Sequence, residues 1–103
     1  MNRRALTITR GKYSQVENRA ALEKELASRG LTVFSWSDEP GTTYAPHQHG
    51  HDEIIVVVSG AIQFVIEGQD YHLEQGDELV LPRGTVHSAW VPGSVSVQYL
   101  ICS

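Results

Sequence analysis

Three of the five histidines fall within five residues, in the run His47-Gln48-His49-Gly50-His51-Asp52-Glu53. A neutral imidazole nitrogen is a good donor to divalent transition metals, and a carboxylate adds a harder oxygen, so this stretch is equipped for metal chemistry. Alternate side chains of an extended strand share a face. His47 and His49 therefore point the same way, and Glu53 returns to that face if the strand resumes after Gly50. Farther along, Gly76, Pro82, Gly84 and His87 frame a strand and a tight turn that deliver a third imidazole from a different strand. Cys102 is the only cysteine, which excludes an intramolecular disulfide and a thiolate zinc cluster. Any metal here must use His and carboxylate. His51 reads as a rim residue or a support to the ligands, and His72, in an alternating Tyr71-His72-Leu73 segment, as a surface or edge histidine.

These residues need a scaffold, and most of the chain supplies strands. After Gly30 short β-branched and aromatic runs recur at close intervals, each punctuated by Gly, Pro, Asp or Ser. Strands are expected at about 31–37, 44–48, 53–59, 61–67, 69–73, 78–81, 87–91 and 95–102. Ser59-Gly60 and Gly68, alone or with Gln69, read as hairpin turns, since glycine takes positive φ without a Cβ clash. A short strand within 5–10, with Leu6 and Ile8 on one face, precedes the helix. Ser14-Gln15-Val16-Glu17 has the form of a capping box, so the helix is expected over 15–29, ending before Gly30. Eight strands of this length make a small barrel or jelly roll. The resulting fold class is all-β with one N-terminal helix. Residues 1–30 form a strand and helix packed on a barrel of residues 31–103, one domain overall.

The spacing of the chemical residues resembles the cupin family. The pattern G-x5-H-x-H-x3-E-x6-G is met by Gly41, His47, His49, Glu53 and Gly60 with every gap correct. A second pattern, G-x5-P-x-G-x2-H-x3-N, is met by Gly76, Pro82, Gly84 and His87, with Val91 where the family usually has Asn. The resemblance implies a conical barrel holding one divalent transition metal on His47, His49, Glu53 and His87. Three neutral imidazoles and a carboxylate suit Fe, Mn, Ni, Zn, Co or Cu and leave coordination positions open for water or substrate. With Ala89 and Val91 on the face of His87, the wall beside the metal is expected to be drier than Asn would make it. Tyr44, close before His47, is a candidate proton donor, and Glu53 a candidate proton carrier. Phe34, Trp36 and Trp90 compete with it for the pocket mouth, the alternative for all four being plain packing.

Length and composition limit the remaining possibilities. The 103 residues suffice for one core and not for a multidomain enzyme. The formal charge of −4 argues against a general nucleic-acid binder, and no helix-turn-helix is apparent. That charge is uneven: residues 1–30 carry seven basic and three acidic groups, whereas 31–103 carry Arg83 against nine acidic groups. A solvated helix accounts for the basic excess. The longest apolar run, Ile54 to Val58, is too short for a membrane span, and no apolar signal segment follows the basic start, so a cytoplasmic location is expected. The function implied is a metal-dependent enzyme, dioxygenase-like, isomerase or lyase, acting on a small oxygenated molecule. The alternative is a non-catalytic, metal-assisted binding or sensing module. A homodimer is expected, through a sheet face or exchange of the N-terminal strand.

Overall fold

A computed structural model describes residues 5–16 and 18–103. Nine strands and one helix follow in the order β1 (Thr7–Thr9), α1 (Arg19–Ser28), β2 (Val33–Asp38), β3 (Thr43–His47), β4 (Glu53–Ser59), β5 (Ala61–Ile66), β6 (Gln69–Glu74), β7 (Glu78–Leu81), β8 (His87–Trp90) and β9 (Val97–Cys102). They form two antiparallel sheets, β1-β7-β4-β9-β2 and β3-β8-β5-β6. This is the expected all-β barrel of jelly-roll type.

From β2 onward the chain changes sheet at every connection but one. The exception is the β5–β6 hairpin, where Ile66 pairs with Gln69 and Glu67-Gly68 form the two-residue turn, both at positive φ (50° and 82°). That is the geometry of a type I′ turn. Gly60, in contrast, does not turn a hairpin: β4 and β5 lie in different sheets, and Gly60 is the corner between them. Its φ is +74°, and a Cβ placed on it would stand 2.4 Å from the carbonyl oxygen of Ser96. Only glycine lets the corner close against β9.

The five-stranded sheet has apolar cores on both faces. Ile55, Val57, Leu79, Val97 and Tyr99 point into the barrel and meet Ile62, Phe64, Ile66, Leu73 and Ala89 from the other sheet. The alternate residues Ile54, Val56, Leu100 and Cys102 point outward and are covered by Tyr13, Leu22 and Leu26. Leu22 and Leu26, one helical turn apart, are the buried stripe of α1, each contributing about 1.5–3 kcal/mol by leaving water. The helix starts later than the sequence signals suggest. Asn18 is its N-cap, its side chain accepting from Ala21 N at 2.9 Å, while Ser14 Oγ instead donates to Gly11 O at 2.8 Å within a turn. Glu17, the other half of the expected capping box, lies outside the described residues.

The charge asymmetry has an internal explanation that replaces the solvated-helix expectation for three of the basic residues. Asp77, 4% exposed, accepts hydrogen bonds from Gly11 N, Glu74 N and Arg10. Next to it Glu78, facing the outer core, sits 2.6 Å from Lys12 Nζ and 3.8 Å from Arg29. The N-terminal segment is thus stitched to β7 by charge. Tyr13 lies in the same cluster, and burial, with Glu78 nearby, pushes its hydroxyl pKa up to about 12.

Candidate metal centre and pocket

Residue parity alone would separate Tyr44 from His47, three positions apart on one strand, onto opposite faces. The structure inserts an extra residue: Tyr44 pairs with Ala89 and His47 with His87, so three steps on β3 match two on β8. This bulge, around Ala45 and Pro46, turns His47 to the side of Tyr44 and His87. Proline fits there because it has no N–H to withdraw from the ladder.

His49 lies beyond the end of β3, in a loop tied down from the opposite motif. Its carbonyl accepts from Gly84 N at 2.8 Å, and the Asp52 carboxylate accepts from Arg83 N at 2.8 Å. Gly84, at φ +74°, bends the 82–85 turn into position, with Thr85 N donating to Pro82 O. The two sequence patterns are therefore physically zipped together. Glu53 opens β4 opposite Leu81 and faces inward with it.

The result is a triad. His47, His49 and His87 present ring nitrogens all within 4.8 Å of one another, with ring centroids 4.3–5.1 Å apart. His47 Nδ1 contacts Ala45 O at 2.7 Å and His87 Nδ1 contacts Thr85 O at 2.9 Å. A carbonyl only accepts, so each Nδ1 carries a proton, and in the neutral ring this leaves the lone pair on Nε2, the tautomer a metal requires. Burial, reinforced by the neighbouring His47 and His49, holds the His87 pKa below its ordinary value, although the bond to Thr85 opposes this. Such a set could hold a metal ion, and its donors fit a borderline transition metal.

Glu53 stands beside the triad, with one carboxylate oxygen 3.6 Å from His49 Nε2 and the other 3.4 Å from His51 Nε2. His51 is thus at the rim, against Glu53. His72 is remote, on the outer face of β6, its Nδ1 donating to Gln63 Oε1 at 2.9 Å.

A cavity of about 200 Å³ adjoins the triad. Ile55, Ile62, Phe64, Ala89 and Ile101 give it an apolar wall, and Trp36, Tyr44 and Tyr99 contribute rings. Val91 is buried in the barrel core. Of the four aromatic candidates for the mouth, Trp36 and Tyr44 line the cavity, while Phe34 and Trp90 do not. Phe34 and Trp36 are 59% and 52% exposed, so neither is core packing.

Asp38 carried no sequence signal, yet it organises this mouth. One of its oxygens accepts from Tyr44 Oη at 2.8 Å and the other from Tyr99 Oη at 2.7 Å, while Trp36 Nε1 donates to Tyr44 Oη at 3.3 Å. Burial, with the Asp38 carboxylate beside it, raises the Tyr99 pKa far above the ordinary phenol value. Both phenol hydroxyls thus donate to the one carboxylate.

The profile of the cupin domain family matches residues 34–102. Over 62 residues the chain is 37% identical to the HTH-type transcriptional regulator PuuR of Escherichia coli K12, covering 59% of this chain and 34% of the regulator. It is 31% identical over 65 residues to the pectin degradation protein KdgF of Dickeya dadantii, covering 53% of this chain and 59% of that protein. The chain thus spans about a third to three fifths of these relatives. The solved structure of KdgF from Halomonas sp. superposes with a TM-score of 0.58 at 34% identity, covering 70% of this chain and 67% of that one.

Proposed function

Because the chain belongs to the cupin family, and its barrel gathers three imidazoles at one wall of a cavity, we propose that it is a metal-dependent enzyme acting on a small oxygenated molecule. The observation that carries this reading is the carbonyl-locked orientation of His47 and His87. An imidazole pinned in this way is set up to donate through Nε2.

The ligand set is His47, His49, Glu53 and His87, for one ion among Fe, Mn, Ni, Zn, Co and Cu. Bound there, a divalent ion supplies Lewis acidity and open coordination positions. The protein's own groups do the rest. Glu53, between His49 and His51, takes or returns a proton at its carboxylate, and His51 steadies the free oxygen. Tyr44, which lines the cavity and whose hydroxyl donates to Asp38, is the second proton-handling group. The apolar wall excludes water from the reacting end. Dioxygenase, isomerase and lyase chemistry all suit this arrangement, and the likeness to KdgF supports an enzyme. The likeness to PuuR favours the other reading, a metal-assisted sensing module without turnover.

Elemental analysis of the purified chain tests the foundation. About one transition metal per chain is expected, lost in the His47→Ala, His87→Ala double variant and kept in His72→Ala. Full retention in the double variant overturns the assignment. Product formation or oxygen uptake with small acids and phenols indicates an enzyme; ligand-dependent shifts without turnover indicate a sensor.

A further inference from the structure

We infer that the cavity beside the histidine triad takes a single aromatic ring bearing one anionic oxygen head, a benzoate-type acid, in preference to a hydroxylated sugar acid. The inference rests on the metal-binding reading above and specifies what enters that site. Size is the first consideration. An enclosed cavity of about 150 Å³ lined by aliphatic and aromatic side chains holds benzene, so about 200 Å³, here open to solvent, has room for one ring with a small substituent.

The wall sets the second limit. Apart from the triad and Glu53, the polar groups at the cavity are the Tyr44 and Tyr99 hydroxyls and the Trp36 indole N–H. The hydrogens of all three are already engaged: the phenols donate to Asp38, and the indole donates to Tyr44. A sugar acid would bring several ring hydroxyls against Ile55, Ile62, Phe64, Ala89 and Ile101, which offer no partner. Each hydroxyl buried without a bond weakens binding by about tenfold. A flat apolar ring meets no such penalty, and Phe64, Tyr99 and Trp36 are aromatic neighbours among the lining residues.

Charge sets the third limit. Three neutral imidazoles add none and Glu53 adds one negative charge, so a divalent ion on this set keeps one positive charge. One carboxylate neutralises it. The head group therefore belongs at the triad and the ring among the apolar lining residues, which include the half-exposed Trp36.

The test is isothermal titration of the full chain, loaded with zinc and checked by elemental analysis, against benzoate, acetate and galacturonate. Benzoate is expected to bind at least about tenfold more tightly than either competitor. Removal of zinc with a chelator should abolish benzoate binding. Trp36→Ala, at a half-exposed position outside the triad, should weaken benzoate about three- to tenfold with zinc content unchanged. With zinc retained, galacturonate binding as tightly as benzoate, acetate matching benzoate, no binding of any of the three, or benzoate binding that survives chelation overturns the inference alone. Failure of the chain to hold zinc or any other divalent transition metal overturns the metal-binding reading, and this inference with it.

Discussion

Replacing Asp77 with Ala should destabilise the protein far more than any comparable change on the N-terminal segment. The carboxylate is 4% exposed and accepts from Gly11 N at 2.8 Å, Glu74 N at 2.9 Å and Arg10 Nη1 at 3.0 Å. Removing it leaves two part-buried backbone N–H groups without their acceptor, at about 1–3 kcal/mol each. Arg10 is more than half exposed and returns to water at little cost. The sum is roughly 3 kcal/mol, which for a domain of this size lowers Tm by roughly 15 °C. Arg10→Ala, measured alongside, should cost less than about 1 kcal/mol. Acid titration supplies a second readout. Burial by itself would raise the Asp77 pKa, but the bonds from Glu74 N, Gly11 N and Arg10 prevail and hold it below the ordinary carboxylate value. A depressed folded pKa means stability that is present above the unfolded value of about 3.9 and is lost as pH falls through the folded one. The Asp77→Ala variant should lack that part of the acid-side loss. Thermal melts by circular dichroism from pH 7 to about 2 read both effects. A variant within about 2 °C of the parent at pH 7, or an Arg10→Ala variant equally destabilised, would refute the reasoning.

Three further outcomes are expected. Gly60→Ala, which forces a side chain to φ +74° and a Cβ to within 2.4 Å of Ser96 O, should lose at least about 2 kcal/mol in urea melts, and parental stability would show that the corner can relax. The Cys102 thiol, fully buried and pushed up to about 11 by that burial, should resist thiol reagents at pH 8 until the protein is denatured; rapid labelling of the native state would contradict the packing of α1 on the sheet. Light scattering should report a homodimer. Since β1 already pairs with β7 of its own chain, deleting residues 1–10 should lower stability whether or not the dimer persists, and a monomer mass at micromolar concentration would refute the dimer.

Features set by neighbouring residues were legible in the sequence. Alternation and punctuation located β4 and β7 to the residue and the other strands within two or three, because strand periodicity and turn chemistry are local. The histidines were legible for a similar reason: their spacing is itself the signal. What failed depended on partners far along the chain. Ser59-Gly60 has the composition of a hairpin turn, yet which sheet β5 joins is decided by β8 and β6. Asp77 and Glu78 look like ordinary acidic residues, and only the return of residues 10–13 onto β7 makes them buried anchors. Asp38 is the same case at the mouth of the cavity, where its two partners lie 6 and 61 residues away.

The extra residue between Tyr44 and His47 has a consequence for how this site tolerates insertion and deletion. A substitution at Ala45 or Pro46 alters one side chain, whereas losing either residue removes the bulge and leaves Tyr44 and His47 two steps apart, on one face by plain alternation. The imidazole would stay turned toward His87 in such a sequence, although the spacing from Gly41 to His47 had changed. What the site does not absorb is a flattening of the bulge with every residue kept, because three regular steps carry His47 to the opposite face. The facing of β3, and not the count of residues before the histidines, is what a descendant must keep, and a shortened motif would conceal a working centre.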